Sequence, residues 1–393
     1  MYVLYERKDV FLNFYPFSLS HPLWELRAGI FTIKELWEKY LGKDVAVYSE
    51  REYIQKYIEG LDRGKLKKPG AGDIIICSNY FPDTELANKV KELKEGEGIF
   101  DQSGKMVACG VSCESDAHFD YFKKEIMNVK GLNYLFDVID IIGEQINNEF
   151  QLIKQDNEPI LEEKSSVRLV QRERMRFGKN VRIEPFVVID ASEGSVFIDD
   201  NVHVLPFSYI KGPVYIGKNT LIKSHSRIYD GVSIGKVCKV AGEIEESIIL
   251  GYSNKQHDGF LGHAFIGEWV NLGALTTNSD LRNNYGNVKI RIRDEVIDTG
   301  RRFLGLLMGD HSKSGITTMF NTGTVTGFSS NIFDAGFQDK FIPSFQWGRN
   351  DIYNLNKAME TARVVMKRRN MEFTDAYRDL FEYIFELRLK EGL

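Results

Sequence analysis

The sequence predicts two fold classes in one chain: an α/β N-terminal domain and a left-handed parallel β-helix of hexapeptide repeats closed by C-terminal helices. Three observations predict this. From Ser195 the chain divides into blocks of six: SVFIDD, NVHVLP, FSYIKG, PVYIGK, NTLIKS, HSRIYD, GVSIGK and VCKVAG. Strand-like and helix-like segments alternate over residues 1–145, as in α/β domains. Residues 353–390 carry apolar residues at helical spacing.

The fourth place of each block reads Ile198, Val204, Ile210, Ile216, Ile222, Ile228, Ile234 and Val240. A period of six is neither helical nor simple strand alternation. It suits a chain that turns a corner every six residues and points one aliphatic inward per side. Three sides make a coil, and each coil buries its aliphatics against its neighbours, giving a rod with a continuous core. The second place is small or β-branched: Val202, Ser208, Val214, Thr220, Ser226, Val232 and Cys238. Upstream, Phe177, Ile183 and Ile189 keep the period, with a phase slip at Ser192–Gly194. Sandwich strands would not hold such a register.

The bulk numbers exclude several classes. A chain of 393 residues has room for two or three domains. Its 43% hydrophobic and 27% charged content is that of an ordinary soluble protein. A net charge of −5 gives no reason to expect nucleic acid as a partner. No apolar run approaches the roughly 18 residues of a membrane span, and MYVLYERKDV lacks the basic start and apolar core of a signal peptide. Cys77, Cys109, Cys113 and Cys238 imply no disulfide framework, and Cys109 with Cys113 is too isolated a pair for a zinc site. The expectation is a cytoplasmic protein with reduced thiols.

In chain order, YVLY (2–5) reads as the first strand, Thr32 to Leu41 as a helix and AVYS (46–49) as a strand. GDIIICS (72–78) has the run of apolar residues expected of a strand in a buried parallel sheet. ELANKVKEL (85–93) is an amphipathic helix. Residues 131–154 read as a helix through Leu135, Val138, Ile139, Ile142 and Ile146, either a connector or a core helix of the first domain. QDNEPILEEKSS then resembles a linker. The six-residue step breaks after Val240, returns at Phe260, Ile266 and Leu272, and is interrupted again by the polar stretch 276–302. Glycines 309, 315 and 327 suggest further coils to about Gly336. Two tail helices follow, the second with Phe373, Tyr377, Leu380, Phe381, Ile384 and Leu387 on one face, suited to covering the end of the rod. The division expected is an α/β domain over 1–145, a connecting helix and linker over 146–174, the β-helix over 175–340 and a helical cap over 341–393.

A repeat array is a scaffold, so chemistry is sought where it breaks. His257 stands in an irregular stretch between glycines; a neutral imidazole there can take a proton from an amine or hydroxyl nucleophile, or be a solvated loop residue. His263, near a resumed repeat step, reads as a structural or stacking residue. GRRFLG (300–305) puts Arg301 and Arg302 beside a glycine, with Lys313 following, a pattern suited to a phosphate or diphosphate or to a solvated charge pair.

The stretch from His257 to Thr276, HDGFLGHAFIGEWVNLGALT, resembles the acetyltransferase half of bifunctional sugar-1-phosphate nucleotidyltransferase/acetyltransferases, the UDP-N-acetylglucosamine-forming type. Their motif is H-L-x-Y-L-G-D-x-x-I-G-x-x-V-N-x-G-A-G-T, and the spacing from His257 to Asn271 matches it without a gap. The resemblance implies acetyl transfer from acetyl-CoA to an amino sugar phosphate, with His257 as base. It implies Lys255, Phe260, Asn271 and Asp280 on the sugar, and Ala274, Arg301, Arg302 and Lys313 on the coenzyme. It also implies a homotrimer with sites between rods. GRRFLG is similar to the archaeal G-R-R-K-L-G. The sequence departs from the motif at Phe260 (Tyr in the family), Leu275 (Gly) and Asp280 (Asn), departures that bear on the acceptor site.

Residues 14–40 resemble the nucleotidyltransferase stretch L-R-P-L-T-x-x-R-P-K-P-L through Pro16, Ser18 and Pro22. The Gly-rich loop that should precede it is replaced by ERKDVFLN, and Asn79-Tyr80 stand where a metal-binding Asp is expected. FIPSFQWG (341–348) goes with a subgroup having this truncated N-terminal half. Three readings follow: an acetyltransferase with a degenerate N-terminal domain; a nucleotidyltransferase using other residues such as Arg7, Lys8 and Arg27, with Mg2+ needed only in that case; and a non-catalytic sugar-nucleotide-binding protein. The first is the expectation.

Overall fold

The computed structural model describes residues 1–112 and 123–393. The chain forms two compact units, one of residues 1–27, 31–135 and 374–380, the other of residues 28–30, 136–373 and 381–393.

In the first unit the strands run in the order Ala46–Ser49, Tyr2–Glu6, Ile74–Cys77, Met106–Gly110, Glu97–Phe100 and Lys123–Ile126. Ile74–Cys77 pairs parallel with Tyr2–Glu6 but antiparallel with Met106–Gly110, so the expected parallel sheet is mixed. Thr32 caps the helix Ile33–Leu41 in a capping box with Glu35, and Asp83 caps Thr84–Glu92. Cys77 and Cys109 are buried; the expectation for the Cys109–Cys113 pair falls on Cys113, which lies outside the described residues.

The second unit is a parallel β-helix. Most of its described strands stack into three sheets, two of six strands and one of nine, with parallel pairing at each step: Val196–Ile198 on Val214–Ile216, on Val232–Ile234, on Ser247–Ile249; the later coils add a two-stranded and a four-stranded sheet. The eight aliphatics from Ile198 to Val240 are fully buried and form one core with Phe177, Ile183 and Ile189. Many corner residues are left-handed, Asn180, Phe186, Asn201, Phe207, Asn219, His225 and Val237 having φ between 55 and 63°. That conformation costs roughly 1–2 kcal/mol per non-glycine residue. Amide bonds to the preceding coil help offset it, such as Asn219 N–H to the Asp200 carbonyl at 2.9 Å. The small second-place residues point inward too: Ser226 Oγ and Thr220 Oγ1 donate to the carbonyls of Lys223 and Gly235.

Two expectations need correction. The stretch that reads as a linker contributes a rung, since Ile160–Leu161 pairs with Arg182–Ile183. The proposed helix over 131–154 is a 3-10 turn, Leu135–Ile141, and a short helix, Ile142–Phe150. That helix packs on the β-helix of its own unit, where Asn147 Oδ1 accepts the Ser195 amide at 2.8 Å.

The break after Val240 is a shortening. The inward residues become Ile244, Ile249, Lys255, Leu261, Ile266 and Leu272, so the steps after Val240 run four, five, six, six, five and six. Leu261, paired with Ile244, points inward; Phe260, expected there, lies one residue out of phase and points outward. The polar stretch holds a hairpin, Lys289–Ile292 with Glu295–Asp298, and coils resume at Leu307–Met308 and run to Phe341–Ile342. In the tail, Phe381 packs edge-on against Phe328 and Phe345 of the last coils.

Ile222 is fully buried between Val204 and Val240. Ile222→Ala is expected to cost about 2–5 kcal/mol of unfolding free energy in denaturant titration. A loss below about 1 kcal/mol would contradict the continuous ladder.

Candidate active site

The shortened coils bring an irregular loop, residues 256–259, to the surface between two rungs. His257 is exposed, and its ring has no side-chain hydrogen bond among the described residues. The loop around it is held on both sides. Leu275 N–H donates to the Asp258 carbonyl at 2.9 Å and Glu243 N–H to that of Gly259 at 3.3 Å. Gly259, at φ +128°, passes so close to the Thr276 carbonyl that a β-carbon would collide with it. From below, Lys255 Nζ donates to the carbonyls of His257 and Ala241 at 3.0 and 2.9 Å. Lys255 is only 3% exposed. It is therefore an internal strut and not the open sugar ligand expected from sequence, because it occupies the aliphatic place in the ladder after Val240. Burial pushes its ammonium down to about 8.

Phe260 and Asp280 flank one spot. Gly262 has no side chain there, and a β-carbon would meet both the Phe260 ring and the Asp280 carboxylate. Asp280 Oδ2 bonds His263 Nδ1 at 2.9 Å, and the His263 ring stacks on Phe303 with centroids 5.1 Å apart. His263 stacks as expected, but it is also oriented by a carboxylate, which the sequence did not suggest. Glu245, His263 and Asp280 hold donor atoms within 4.8 Å of one another, a spacing a small divalent cation could bridge. Burial, with Asp280 adding to it, pushes Glu245 up. Burial pushes Glu246 up to about 7 against the pull of His263, with Asp230 and Glu245 adding to the rise. Neither glutamate is singled out by the sequence; the available signal was the shortened step that turns EIEE around a corner.

Asn271 is exposed and continues the rung between Asn254 and Lys313 by backbone bridges, so Asn271 and Lys313 share a face. Ala274, half-buried, lies in the turn after it, where its carbonyl accepts the Thr317 amide. Lys313 Nζ donates to the His311 carbonyl at 2.7 Å, and burial pushes it down to about 8. The two arginines differ. Arg301 is tied to Asp137 at 2.8 Å and to Asp140, and lies over the Phe136 ring. The expected pair of phosphate ligands is thus reduced to Arg302, which is exposed.

In the first unit, the end of the first strand is filled. Glu6 and Arg51 form a buried ion pair, and Arg51 also donates to the carbonyls of Ser18 and His21. Phosphate-binding loops offer backbone N–H groups at such a strand end; here a guanidinium and its acceptors occupy it. Of the alternative cations, Arg7 pairs with Asp9 at 2.6 Å, Lys8 is exposed and Arg27 is half-buried.

No described helix is long and apolar enough to cross a membrane. Residues 2–158 match the family model described as sugar nucleotidyl transferase, and residues 195–230 that of the bacterial transferase hexapeptide, six repeats. The bifunctional sugar-1-phosphate nucleotidylyltransferase/acetyltransferase of Sulfurisphaera tokodaii is 32% identical over 147 residues, 36% of either chain. The bifunctional protein GlmU of Methanocaldococcus jannaschii is 29% identical over 149 residues, 37% of this chain and 32% of that one. The chain thus spans about a third of the length of these two relatives. The uncharacterized acetyltransferase YaiX of Escherichia coli K12 is 30% identical over 168 residues, 42% of this chain and 73% of that one.

Glu246 gives a signed pH effect. Its carboxyl titrates near 7 when folded and near 4.3 when unfolded. Between those values the folded state holds more protons, so this group lowers stability as pH rises. Glu246→Gln is expected to be more stable than the parent above pH 7, with the gain vanishing below about pH 4. Equal denaturant midpoints at pH 8 would contradict the crowding of carboxylates around His263.

Proposed function

Because the chain belongs to the hexapeptide-repeat transferases, we propose that it is an acetyl-CoA-dependent N-acetyltransferase acting on an amino sugar 1-phosphate such as glucosamine 1-phosphate. The observation that carries this reading is the ungapped match from His257 to Asn271, which begins in the surface loop 256–259 that follows the shortened sides. His257 takes a proton from the amine as its nitrogen attacks the thioester carbonyl carbon. The C–S bond then breaks, the proton passes to the departing sulfur, and an N-acetyl sugar phosphate and free coenzyme A thiol result. Backbone N–H groups at the coil corners hold the oxyanion. Asn271, Phe260 and Asp280 face the sugar; Ala274, Arg302 and Lys313 face the coenzyme, and Arg301 braces that side through Asp137 and Asp140. Phe260 offers no hydroxyl to the acceptor, so the sugar is held by apolar contact there. The site is completed by a neighbouring rod in a homotrimer.

The family-model match over residues 2–158 favours a second reading, sugar-1-phosphate nucleotidyl transfer with Mg2+, the β-helix serving as trimerisation rod. The buried Glu6–Arg51 pair at the first strand's end speaks against it.

Two incubations separate the readings. Acetyl-CoA with glucosamine 1-phosphate is expected to release thiol, falling about 10²–10⁴-fold in His257→Ala. UTP, Mg2+ and N-acetylglucosamine 1-phosphate are expected to release no pyrophosphate. Thiol release that survives His257→Ala would sink the base assignment; pyrophosphate release would establish the second reading.

A further inference from the structure

Along one face of the β-helix the inward places read Ile183, Val204, Ile222, Val240, Lys255 and Leu272. A lysine in that series is out of place on stability grounds, because an ammonium buried among aliphatics loses its hydration. Its burial is nevertheless built for. Gly242, at φ +79°, leaves the space the ammonium fills, since a β-carbon there would stand 2.6 Å from Nζ. Two carbonyls receive it, Ala241 of the preceding coil and His257 in the irregular loop. A leucine at 255 would complete the ladder and leave the His257 carbonyl without this donor.

We propose that Lys255 is a positioning residue that fixes the loop 256–259, and with it the His257 imidazole, by donating from inside the rod to the His257 carbonyl. The inference rests on the reading of His257 as base. A charged donor on a rigid ladder sets the height of the loop above the coil, and the bonds from Leu275 to Asp258 and from Glu243 to Gly259 set its lateral place. Asp258, Glu243 and Arg227 are the charged groups that bear on Lys255, the first two favouring its ammonium and the last opposing it. The position therefore trades fold stability for the placement of one side chain.

The test compares Lys255→Met, which restores an apolar ladder, with Lys255→Gln, which keeps a shorter donor. Lys255→Met is expected to melt no lower than the parent, to lose roughly ten- to hundredfold in kcat with the KM for acetyl-CoA little changed, and to exchange amide hydrogens faster at residues 256–259. Lys255→Gln is expected to recover part of the kcat. Parental kcat in Lys255→Met, or unchanged exchange at 256–259, would overturn the proposal. So would a Met variant that does not fold, because the lysine would then serve the fold itself. His257→Ala run alongside keeps the two claims apart: undiminished thiol release there removes the base, whereas unchanged exchange in Lys255→Met removes the Lys255 contact alone.

Discussion

The structure depends on one constraint: every side of every coil must point one apolar residue into a shared interior while its backbone bonds to the coils above and below. Burial supplies the driving force, and the parallel ladders satisfy the amides and carbonyls that burial would otherwise strand. The period of six, the left-handed corners and the small second-place residues all follow. A corner residue such as Asn219 tolerates its strained φ because its amide reaches the coil before it.

That constraint is relaxed after Val240. Between Val240 and Ile249 the sides shorten, and the next inward place goes to Lys255. The shortened corners bring Glu245 and Glu246 beside His263 and Asp280, and they leave the 256–259 loop standing outside the ladder. Buried lysine and crowded carboxylates both cost stability, so their concentration in this region of the second unit sets it apart from the regular coils. The first unit differs: its first strand's end is closed by the Glu6–Arg51 pair.

Most of the rod was legible because its signal is one-dimensional. Inward residues from Phe177 to Val240 could be counted off without knowing any contact. The rung at Ile160–Leu161 was not, since one aliphatic pair in a charged stretch carries no period. Phe260 was placed inward because extrapolating a six-step across a shortened corner errs by a residue, and Leu261 took the place. The candidate site was legible as a motif but not as a set of contacts. Nothing in GRRFLG tells that Arg301 is claimed by Asp137 and Asp140 from far upstream, or that Lys255 faces inward. Pairings between residues distant in sequence leave no local trace.

We propose that function sits at the broken register of the β-helix. Hydrogen exchange of the full chain with and without coenzyme A tests it most directly. Protection is expected at residues 255–276 and along 300–315, with the regular coils 195–240 and residues 1–112 unchanged. Protection confined to residues 1–112, or absent at saturating coenzyme A, would contradict the account.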